Sequence, residues 1–379
     1  MRIFWITKLS DKNPFKSTQF AMSDELRKRG HDVSLVLIKE FTERKKSTKD
    51  VMYIPTISVP VLSGIIFGLL LLFYFSFHFI KEKADVVIVD GDQIFSPFVL
   101  TLRLMRVPVI WDIRSLPIDR ERSILHDISL YMTKYLVDGL TAITPELRSI
   151  LRSNYKLNNK KIGLWSTGVS MQVFNSDINS TTRNRNETSE FRLIYHGTYS
   201  PTRGIEELIQ SIGEIEKPIR NNVKLMLVGI DGDKRNDLMK LCNQLEVEDY
   251  VDIFPPVDQS KIPSFIQRAD IGVIPLPPEN VWWRVSVPLK TLEYLAMGKP
   301  IVVTDIPFHR KIMNECKCGV IINSSDPKDI AKAICHLYNN RNELEKMGEC
   351  GKKLVMEQYS WETKASELED FIKTILVKT

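Results

Sequence analysis

The stretch Ser286–Pro300 reads SVPLKTLEYLAMGKP, and it predicts a short helix followed by a strand. Pro288 suits the start of a helix, because the N–H that proline lacks has no partner in the first helical turn. Gly298 and Pro300 end the helix. The apolar residues 301–303 then predict a buried strand. This order of helix and strand is typical of an α/β fold with a parallel sheet.

Two charged residues of this helix, Lys290 and Glu293, form a candidate binding site. They are three residues apart and therefore share one face of the helix. A helix N-terminus favours anions, so Lys290 beside it suits a diphosphate, and Glu293 can accept hydrogen bonds from sugar or ribose hydroxyls. The alternative is an ordinary ion pair on the surface, which contributes little to stability.

Strand-like and helix-like runs alternate along the chain, which predicts parallel sheets with helices on both faces. Six strand-like runs lie between residues 2 and 165 and six more between residues 191 and 322, with a polar segment between the two sets. We therefore expect an α/β architecture of two doubly wound, Rossmann-like domains that face a cleft. The expected boundaries are 1–174 for the N-terminal domain, 175–190 for a polar linker, 191–358 for the C-terminal domain and 359–379 for a last helix.

Several short motifs follow one another in the order seen in one enzyme family. With its pattern P-L-K-x-x-E-Y-x-x-x-G-K-P, the opening stretch resembles the donor-site helix of the family-4 glycosyltransferases, the retaining enzymes of the GT-B fold. The resemblance covers nearly the whole chain. The other matching segments are Arg29–Val33, Ala84–Val87, Ala142–Leu147, Thr167–Phe174, Tyr195–Thr198 with Arg203 and Gly204, Ala269–Pro275 and Tyr359–Glu362.

The resemblance implies a GT-B protein whose last helix returns to the N-terminal domain and whose C-terminal domain binds a nucleoside-diphosphate sugar. It implies that Glu293 holds the ribose hydroxyls. Arg203 stands where the family has a loop lysine, and with Lys290 it is expected to stabilise the departing diphosphate, so that neither a metal nor another cofactor is needed. The predicted donor-binding residues are Gly197, Thr198, Arg203, Gly229, Lys290, Thr291 and Glu293.

The chain departs from the family pattern near the expected sugar and acceptor. Val285 occupies the place of the first glutamate of the family's E-x7-E motif, so that carboxylate is absent or comes from elsewhere, such as Glu279. The segment Asn13–Thr18 replaces the family's N-terminal Gly-Gly loop. The predicted residues of the acceptor or sugar loops are Lys16, Ser17, Trp283 and Arg284.

Asp112 and Arg114 follow the fourth predicted strand in a D-x-R arrangement that resembles a subset of the family. We predict that both contact the acceptor or the sugar and that they act in catalysis together with Arg203 and Lys290. The alternative is a helix cap with an ion-pair partner.

Composition narrows the classes of partner. The chain has 379 residues and a net charge of +5, which permits attraction to anionic lipid or nucleotide phosphates but does not indicate a nucleic-acid-binding protein. Its five cysteines form no paired framework, so reduced thiols are expected.

The segment Ile57–Ile80 is strongly apolar and contains no charged residue. As a helix it is long enough to cross a bilayer, but a crossing would separate strands that belong to one sheet. We favour a helix that docks into one leaflet, while a buried core helix and a true span remain open. The expected location is the cytoplasmic face of a membrane, with a peripheral or monotopic attachment.

Together these features predict a membrane-associated glycosyltransferase that moves a sugar from a nucleoside-diphosphate donor to a lipid-linked or cell-surface glycan acceptor with retention. The expected partners are the donor, this acceptor and the membrane surface, without nucleic acid. The alternative is a GT-B protein that transfers no sugar, either a nucleotide-sugar epimerase or a non-catalytic partner of a membrane glycan assembly.

Overall fold

The computed structural model describes residues 1–10, 17–40, 47–56, 66, 69–73, 83–90, 97–115, 124–174 and 190–377. The chain forms two compact units. The N-terminal unit comprises Met1–Thr167 with Trp361–Thr379, and the C-terminal unit comprises Gly168–Ser360.

The N-terminal unit contains a parallel sheet of seven strands in the order β3-β2-β1-β4-β5-β6-β7. The described strands are β1 Arg2–Ser10, β2 Asp32–Glu40, β3 Val51–Thr56, β4 Val86–Asp90, β5 Val109–Ile113, β6 Gly139–Ala142 and β7 Lys161–Leu164. The helices described between them are α1 Ser17–Lys28, α2 Pro97–Leu104, α3 Ile124–Leu136 and α4 Pro145–Asn154.

Strand β3 was absent from the sequence-based prediction. Pro55 makes this segment a poor strand, since proline cannot donate to a neighbouring strand and is confined mainly to sheet edges. Among the described strands, β3 lies at the edge of the sheet and pairs with β2. Its position in the sheet therefore explains why the proline is tolerated.

The C-terminal unit contains a parallel sheet of six strands in the order β10-β9-β8-β11-β12-β13. The strands are β8 Phe191–His196, β9 Val223–Val228, β10 Val251–Phe254, β11 Ile271–Ile274, β12 Ile301–Thr304 and β13 Gly319–Ile322. The helices are α5 Ile205–Glu214, α6 Lys217–Arg220, α7 Gly232–Gln244, α8 Ile262–Arg268, α9 Val281–Arg284, α10 Leu289–Ala296, α11 Pro307–Glu315, α12 Pro327–Asn339 and α13 Leu344–Gln358.

Alternate residues of these strands enter two different cores, because successive side chains of a strand point to opposite faces of its sheet. Ile194 and Val303 pack in one core, which contains α10, while Leu193 and Val302 pack in the other, which contains α5 and α12. Both faces of the sheet are thus covered by helices, as the sequence predicted. The predicted α/β architecture of two parallel-sheet, Rossmann-like halves is confirmed.

The last helix, α14 (Trp361–Leu376), belongs to the N-terminal unit, although it follows the whole C-terminal unit in sequence. Its apolar face packs into the same core as Trp5 and Trp165. A side chain at Gly163 would overlap the ring of Phe371, so this glycine lets the helix approach β7 closely. The expected return of the last helix is thus observed.

The division between the units falls at Thr167 and Gly168, a few residues before the expected end of the first domain at residue 174. The reason is that Val169 donates its N–H to the carbonyl of Tyr359 and Phe174 is buried in the core of the C-terminal unit. Residues 175–189 of the expected linker lie outside the described residues.

The expectation of five reduced cysteines was wrong for one pair. Cys316, after α11, and Cys350, on α13, form a disulfide with 6.0 Å between their Cα atoms. Their separation of 34 residues left no signal in the sequence, because α11 and α13 meet only through tertiary packing. The remaining three, Cys242, Cys318 and Cys335, are free.

Of the apolar segment 57–80, the structure describes only residues 66 and 69–73, which are helical. Leu71 is buried, whereas Phe73 is 74% exposed. Among the helices of the described ranges, none has the length and apolar character needed to cross a bilayer.

Candidate functional site

The candidate site lies at the carboxyl edge of the C-terminal sheet, where the first two strands of this unit end in glycines. Gly197 follows β8 and donates its N–H to the carbonyl of Val228 at 2.8 Å, and Gly229 follows β9. Both glycines have positive φ, +124° and +105°. A Cβ at Gly229 would lie 3.0 Å from the carbonyl oxygen of Gly197. The two loops therefore approach each other more closely than residues with side chains would allow.

Two cationic side chains converge on the backbone of Gly197. A Cβ at this position would lie 2.7 Å from Cε and 2.9 Å from Nζ of Lys290, and 3.6 Å from Nη1 of Arg203. Within the described part of the chain, neither cation forms an ion pair with a carboxylate, and the buried Nε of Arg203 has no hydrogen-bond partner there. The arrangement thus places two cationic groups side by side at the backbone of the glycine loop.

The environment disfavours the charged form of Lys290. Desolvation and, to a smaller extent, the nearby charge of Arg203 lower the pKa of its amine to about 7, although Glu293 opposes both effects. Its Nζ lies 5.2 Å from the ring centroid of the buried Tyr195. An anion bound between Lys290 and Arg203 would reverse this shift, because it stabilises the ammonium form.

Glu293 is held by two residues that the sequence analysis did not select, His196 and Tyr294. The backbone N–H of His196 donates to the Tyr294 hydroxyl at 3.1 Å, and this hydroxyl lies 3.0 Å from Nδ1 of the same histidine. Because an ionised Glu293 can only accept, Nε2 of His196 donates to its Oε2 at 2.7 Å, and Nδ1 of the neutral ring then accepts from the Tyr294 hydroxyl. Burial and the Lys290 charge lower the pKa of His196 to about 3, so the ring is neutral.

Both positioning residues stand beside predicted ones in sequence, since His196 precedes Gly197 and Tyr294 follows Glu293. Burial raises the pKa of Glu293 to about 7, against the effect of Lys290. The carboxyl is thus fixed in orientation and close to its titration point at neutral pH.

The loop after β8 brings Arg203 to the site. Residues Pro201–Arg203 form a 3-10 turn, and Gly204, with φ +69°, precedes α5 directly. Nε1 of Trp283 donates to the carbonyl of Thr202 at 2.7 Å, and the ring of Trp283 lies 5.8 Å from the guanidinium carbon of Arg203. Trp283 therefore holds the turn from which Arg203 extends.

Three other residues of this unit were also predicted to contact the donor or the sugar, and they differ from one another in burial. Thr198 directly follows Gly197 and is exposed. Thr291 is fully buried, and its hydroxyl donates to Nε2 of His309 at 3.0 Å, because Nδ1 of that ring donates to the carbonyl of Thr304. Arg284, the last residue of α9, is exposed.

The N-terminal unit brings Asp112 and Arg114 together at the carboxyl end of β5. Oδ1 of Asp112 accepts from the Thr141 hydroxyl at 2.6 Å, and Nη2 of Arg114 donates to the Thr167 hydroxyl at 2.9 Å. The guanidinium lies 4.1 Å from the ring centroid of Trp165. Among the described residues, the buried Oδ2 of Asp112 and Nη1 of Arg114 have no hydrogen-bond partner. These two atoms are therefore able to form hydrogen bonds with a ligand.

Asp90 is a further buried carboxyl of this cluster that the sequence analysis did not select. It is paired in register with Asp112 across β4 and β5, and Nε2 of Gln19 donates to its Oδ2 at 3.1 Å. Burial and, to a smaller extent, the neighbouring Asp112 raise the pKa of Asp90 to about 7. Lys16 and the side chain of Ser17 lie outside the described residues.

Comparison with known proteins places both halves of the chain in glycosyltransferase families. Residues 19–173 match the model "Glycosyltransferase Family 4", and residues 178–354 match "Glycosyl transferases group 1". A D-inositol 3-phosphate glycosyltransferase of Paenarthrobacter aurescens is 25% identical over 249 residues, which are 63% of this chain and 59% of that protein. The chain therefore spans about three fifths of the length of this curated relative.

A second relative is the GDP-mannose-dependent alpha-(1-6)-phosphatidylinositol monomannoside mannosyltransferase of Mycobacterium tuberculosis, 24% identical over 46% of this chain and 45% of that protein. Among solved structures, Anabaena Alr3699/HepE in complex with UDP superposes with a TM-score of 0.76 at 12% identity, covering 99% of this chain and 100% of that chain. This likeness shows that the fold is shared, and the predicted GT-B class is confirmed. The two family models together cover most of the chain, so the protein belongs to the glycosyltransferases of family 4.

Proposed function

We propose that this protein transfers a sugar from a nucleoside-diphosphate donor to a lipid-linked or cell-surface glycan acceptor, with retention of configuration at the anomeric carbon. The observation that supports it most is the convergence of Arg203 and Lys290 on the backbone of Gly197 without a paired carboxylate in the described part of the chain. Such a site attracts a polyanion, and a diphosphate matches two cations on a glycine loop.

The chemistry of transfer explains why these cations would matter. When the bond between the anomeric carbon and the diphosphate breaks, the leaving phosphate gains negative charge and the sugar becomes oxocarbenium-like. Arg203 and Lys290 would stabilise the departing charge more strongly in the transition state than in the bound donor. Glu293, oriented by His196, would accept hydrogen bonds from the ribose hydroxyls. The family membership and the UDP complex of a protein with the same fold are consistent with this donor class.

Retention would follow if the leaving phosphate accepts the proton of the acceptor hydroxyl on the same face of the sugar, since phosphate can act as a general base. This route needs no carboxylate at the position of Val285. We assign contacts with the acceptor or the sugar to Asp112 and Arg114, since Oδ2 of Asp112 and Nη1 of Arg114 have no hydrogen-bond partner among the described residues and suit hydroxyl groups. A lipid-linked acceptor and attachment to a membrane surface are supported by the phosphatidylinositol mannosyltransferase relative and by the apolar run 57–80.

The test is a comparison of Lys290→Met with Lys240→Met, an exposed lysine on α7. Binding of UDP and GDP is measured by calorimetry, and transfer from UDP- and GDP-sugars to a lipid extract is measured by product analysis. Lys290→Met should lower transfer at least a hundredfold, because it removes stabilisation of the leaving group, and Lys240→Met should behave as the unsubstituted protein. Unchanged transfer in Lys290→Met would remove the proposed site.

A further inference from the structure

Exposed apolar side chains are concentrated on one part of the N-terminal unit. Nine of the fifteen large hydrophobic residues that are exposed in the described chain lie between residues 69 and 135. Single exposed hydrophobic residues are normal, but a contiguous group of them marks an interaction surface. Most of the nine belong to two helices, α2 and α3, or directly follow α2.

Helix α3 has apolar residues on both its inner and its outer face. Leu130 and Thr133 point inward and are fully buried. On the outer face, Ile128, Tyr131 and Tyr135 follow one another at helical spacing and are 44%, 48% and 70% exposed. A helix at the surface of a soluble domain normally carries polar residues there. The apolar residues on the outer face of α3 therefore indicate contact with an apolar partner outside the core.

Helix α2 extends the same surface. Leu100 and Leu104 are one turn apart and are 54% and 84% exposed. Helix α2 packs against α3, and Arg103 of α2 pairs with Asp138, just beyond the end of α3, at 2.7 Å. We call Leu100, Leu104, Met105, Ile128, Tyr131 and Tyr135 the α2–α3 surface.

Basic residues border this surface. Arg106 and Lys134 are direct sequence neighbours of its members, and so is one carboxylate, Asp127, which accepts a hydrogen bond from the Tyr155 hydroxyl. Tyr131 lies with its ring centroid 5.5 Å from that of Tyr155, which ends the neighbouring helix α4. On α4, Arg148 and Arg152 line a surface depression together with Ser149, Ser153 and Asn158. In the described part of residues 97–161 there are nine Lys and Arg but four Asp and Glu.

The mainly basic residues around the α2–α3 surface favour one kind of binding partner. A second copy of the chain would bring two borders of the same positive sign together, which opposes association. An anionic lipid bilayer offers the opposite charge, and it also accommodates tyrosine at its interface and aliphatic side chains below it.

We propose that the α2–α3 surface is a docking site for anionic lipid bilayers, in which its apolar side chains enter the acyl boundary and Arg148 and Arg152 bind headgroup phosphates. The proposal deepens the function proposed above and rests on it for the lipid-linked acceptor. It places membrane contact on residues other than the run 57–80. The helical residues Leu69 and Phe73 of that run, 44% and 74% exposed, add apolar area to the same unit.

The experiment is co-sedimentation of the full chain with vesicles of phosphatidylcholine alone and of phosphatidylcholine mixed with phosphatidylglycerol. The double variant Leu104→Glu/Tyr135→Glu should partition at least tenfold less to the mixed vesicles. The matched control Met239→Glu/Met356→Glu changes two exposed methionines of the C-terminal unit, 43% and 52% exposed, and should partition as the unsubstituted protein does. Arg148→Ala/Arg152→Ala should lose most of the preference for the anionic vesicles.

Two results would overturn the proposal. One is equal partitioning of Leu104→Glu/Tyr135→Glu and the unsubstituted protein. The other is a dimer, seen by light scattering without vesicles, that this variant dissociates, since the surface would then join two copies. Calorimetric titration of every variant with UDP and GDP separates the docking proposal from the proposed function. A variant that loses vesicle binding but still binds nucleotide is altered in the α2–α3 surface alone. Absence of nucleotide binding in the unsubstituted protein would instead contradict the proposed function.

Discussion

At the scale of single residues, the candidate donor site depends on a glycine whose neighbours leave no room for a side chain. Gly197 combines a φ of +124° with a lysine methylene 2.7 Å from the place of a Cβ. The backbone strain and the steric overlap are separate effects. Glycines elsewhere in the same unit allow the two to be distinguished.

Gly197→Ala should weaken the binding of a nucleoside diphosphate at least tenfold, because the methyl group displaces Lys290 from the loop. The control is Gly232→Ala, at φ +55° with no atom within 4 Å of the new Cβ, which introduces the milder strain of a left-handed alanine without the overlap. It should destabilise the protein by about 1 kcal/mol and leave binding unchanged. Calorimetry and thermal unfolding measure both quantities. Equal loss of affinity in the two variants would show that the methyl group does not act through Lys290.

The lowered pKa of Lys290 predicts that diphosphate binding takes up a proton. The amine has a pKa of about 7 in the free protein because of desolvation and the Arg203 charge, so it is largely neutral at pH 8. A bound anion raises this pKa and favours the charged form. Affinity should therefore be highest below about pH 7 and should fall as the pH rises above it. Below this range the amine is already charged, so its contribution no longer changes.

Titration at pH 8 in HEPES and in Tris measures the uptake, since the two buffers differ in ionisation enthalpy. The heats should differ for the unsubstituted protein, and the difference should shrink in Lys290→Met. Proton uptake that persists in this variant would assign it to another group.

At the scale of elements, short connections place the functional side chains more than the regular helices and strands do. The turn Pro201–Arg203 is too short to have a core of its own. It is held by a hydrogen bond from Trp283 of α9, which is 81 residues away in the sequence. The position of Arg203 therefore depends on two connections that only the tertiary fold brings together.

Trp283→Phe should reduce nucleoside-diphosphate affinity severalfold and lower the free energy of unfolding by about 1 kcal/mol, the usual net contribution of one hydrogen bond. The aromatic ring and most of its packing are kept, so the lost N–H is the main change. Trp282→Phe removes an indole N–H from the same helix and should have a smaller effect on affinity. Chemical denaturation with calorimetry provides both measurements, and a larger effect of Trp282→Phe would contradict the role of the turn.

At the scale of the whole molecule, the two ends of the chain meet in the N-terminal unit. Glu369 of α14 forms ion pairs with Arg29 at 2.6 Å and with Lys373 at 2.6 Å. Hydrogen bonding from Lys373, and then from Arg29, lowers the pKa of this carboxyl to about 2. A lowered carboxylate pKa stabilises the fold above the unfolded-state pKa of about 4.5, and this stability is lost as the pH falls towards 2.

Glu369→Gln should therefore lower the melting temperature at pH 7, and its difference from the unsubstituted protein should shrink between pH 4.5 and pH 2. Glu362→Gln, at an exposed position on the same helix, is the matched control and should change little. Thermal unfolding followed by circular dichroism across this pH range tests the expectation. A difference that does not vary with pH would mean that the charge of Glu369 is not the cause.

The sequence by itself determined the class of fold, and it predicted the position along the chain of the candidate donor site. Alternating strands and helices, together with the motif around Lys290 and Glu293, were sufficient, because periodicity and helix ends are local properties. The convergence of Gly197, Arg203 and Lys290 could also be predicted, since all three follow from the resemblance of ordered motifs.

Only the tertiary structure decided which side chains hold these residues in place. Four features depend on contacts between distant segments of the chain. They are the hydrogen bond between His196 and Glu293, the hydrogen bond between Thr291 and His309, the disulfide between Cys316 and Cys350, and the exposed face of α3. Such contacts leave no periodic signal in the sequence, because packing of whole elements, and not spacing along the chain, brings the partners together.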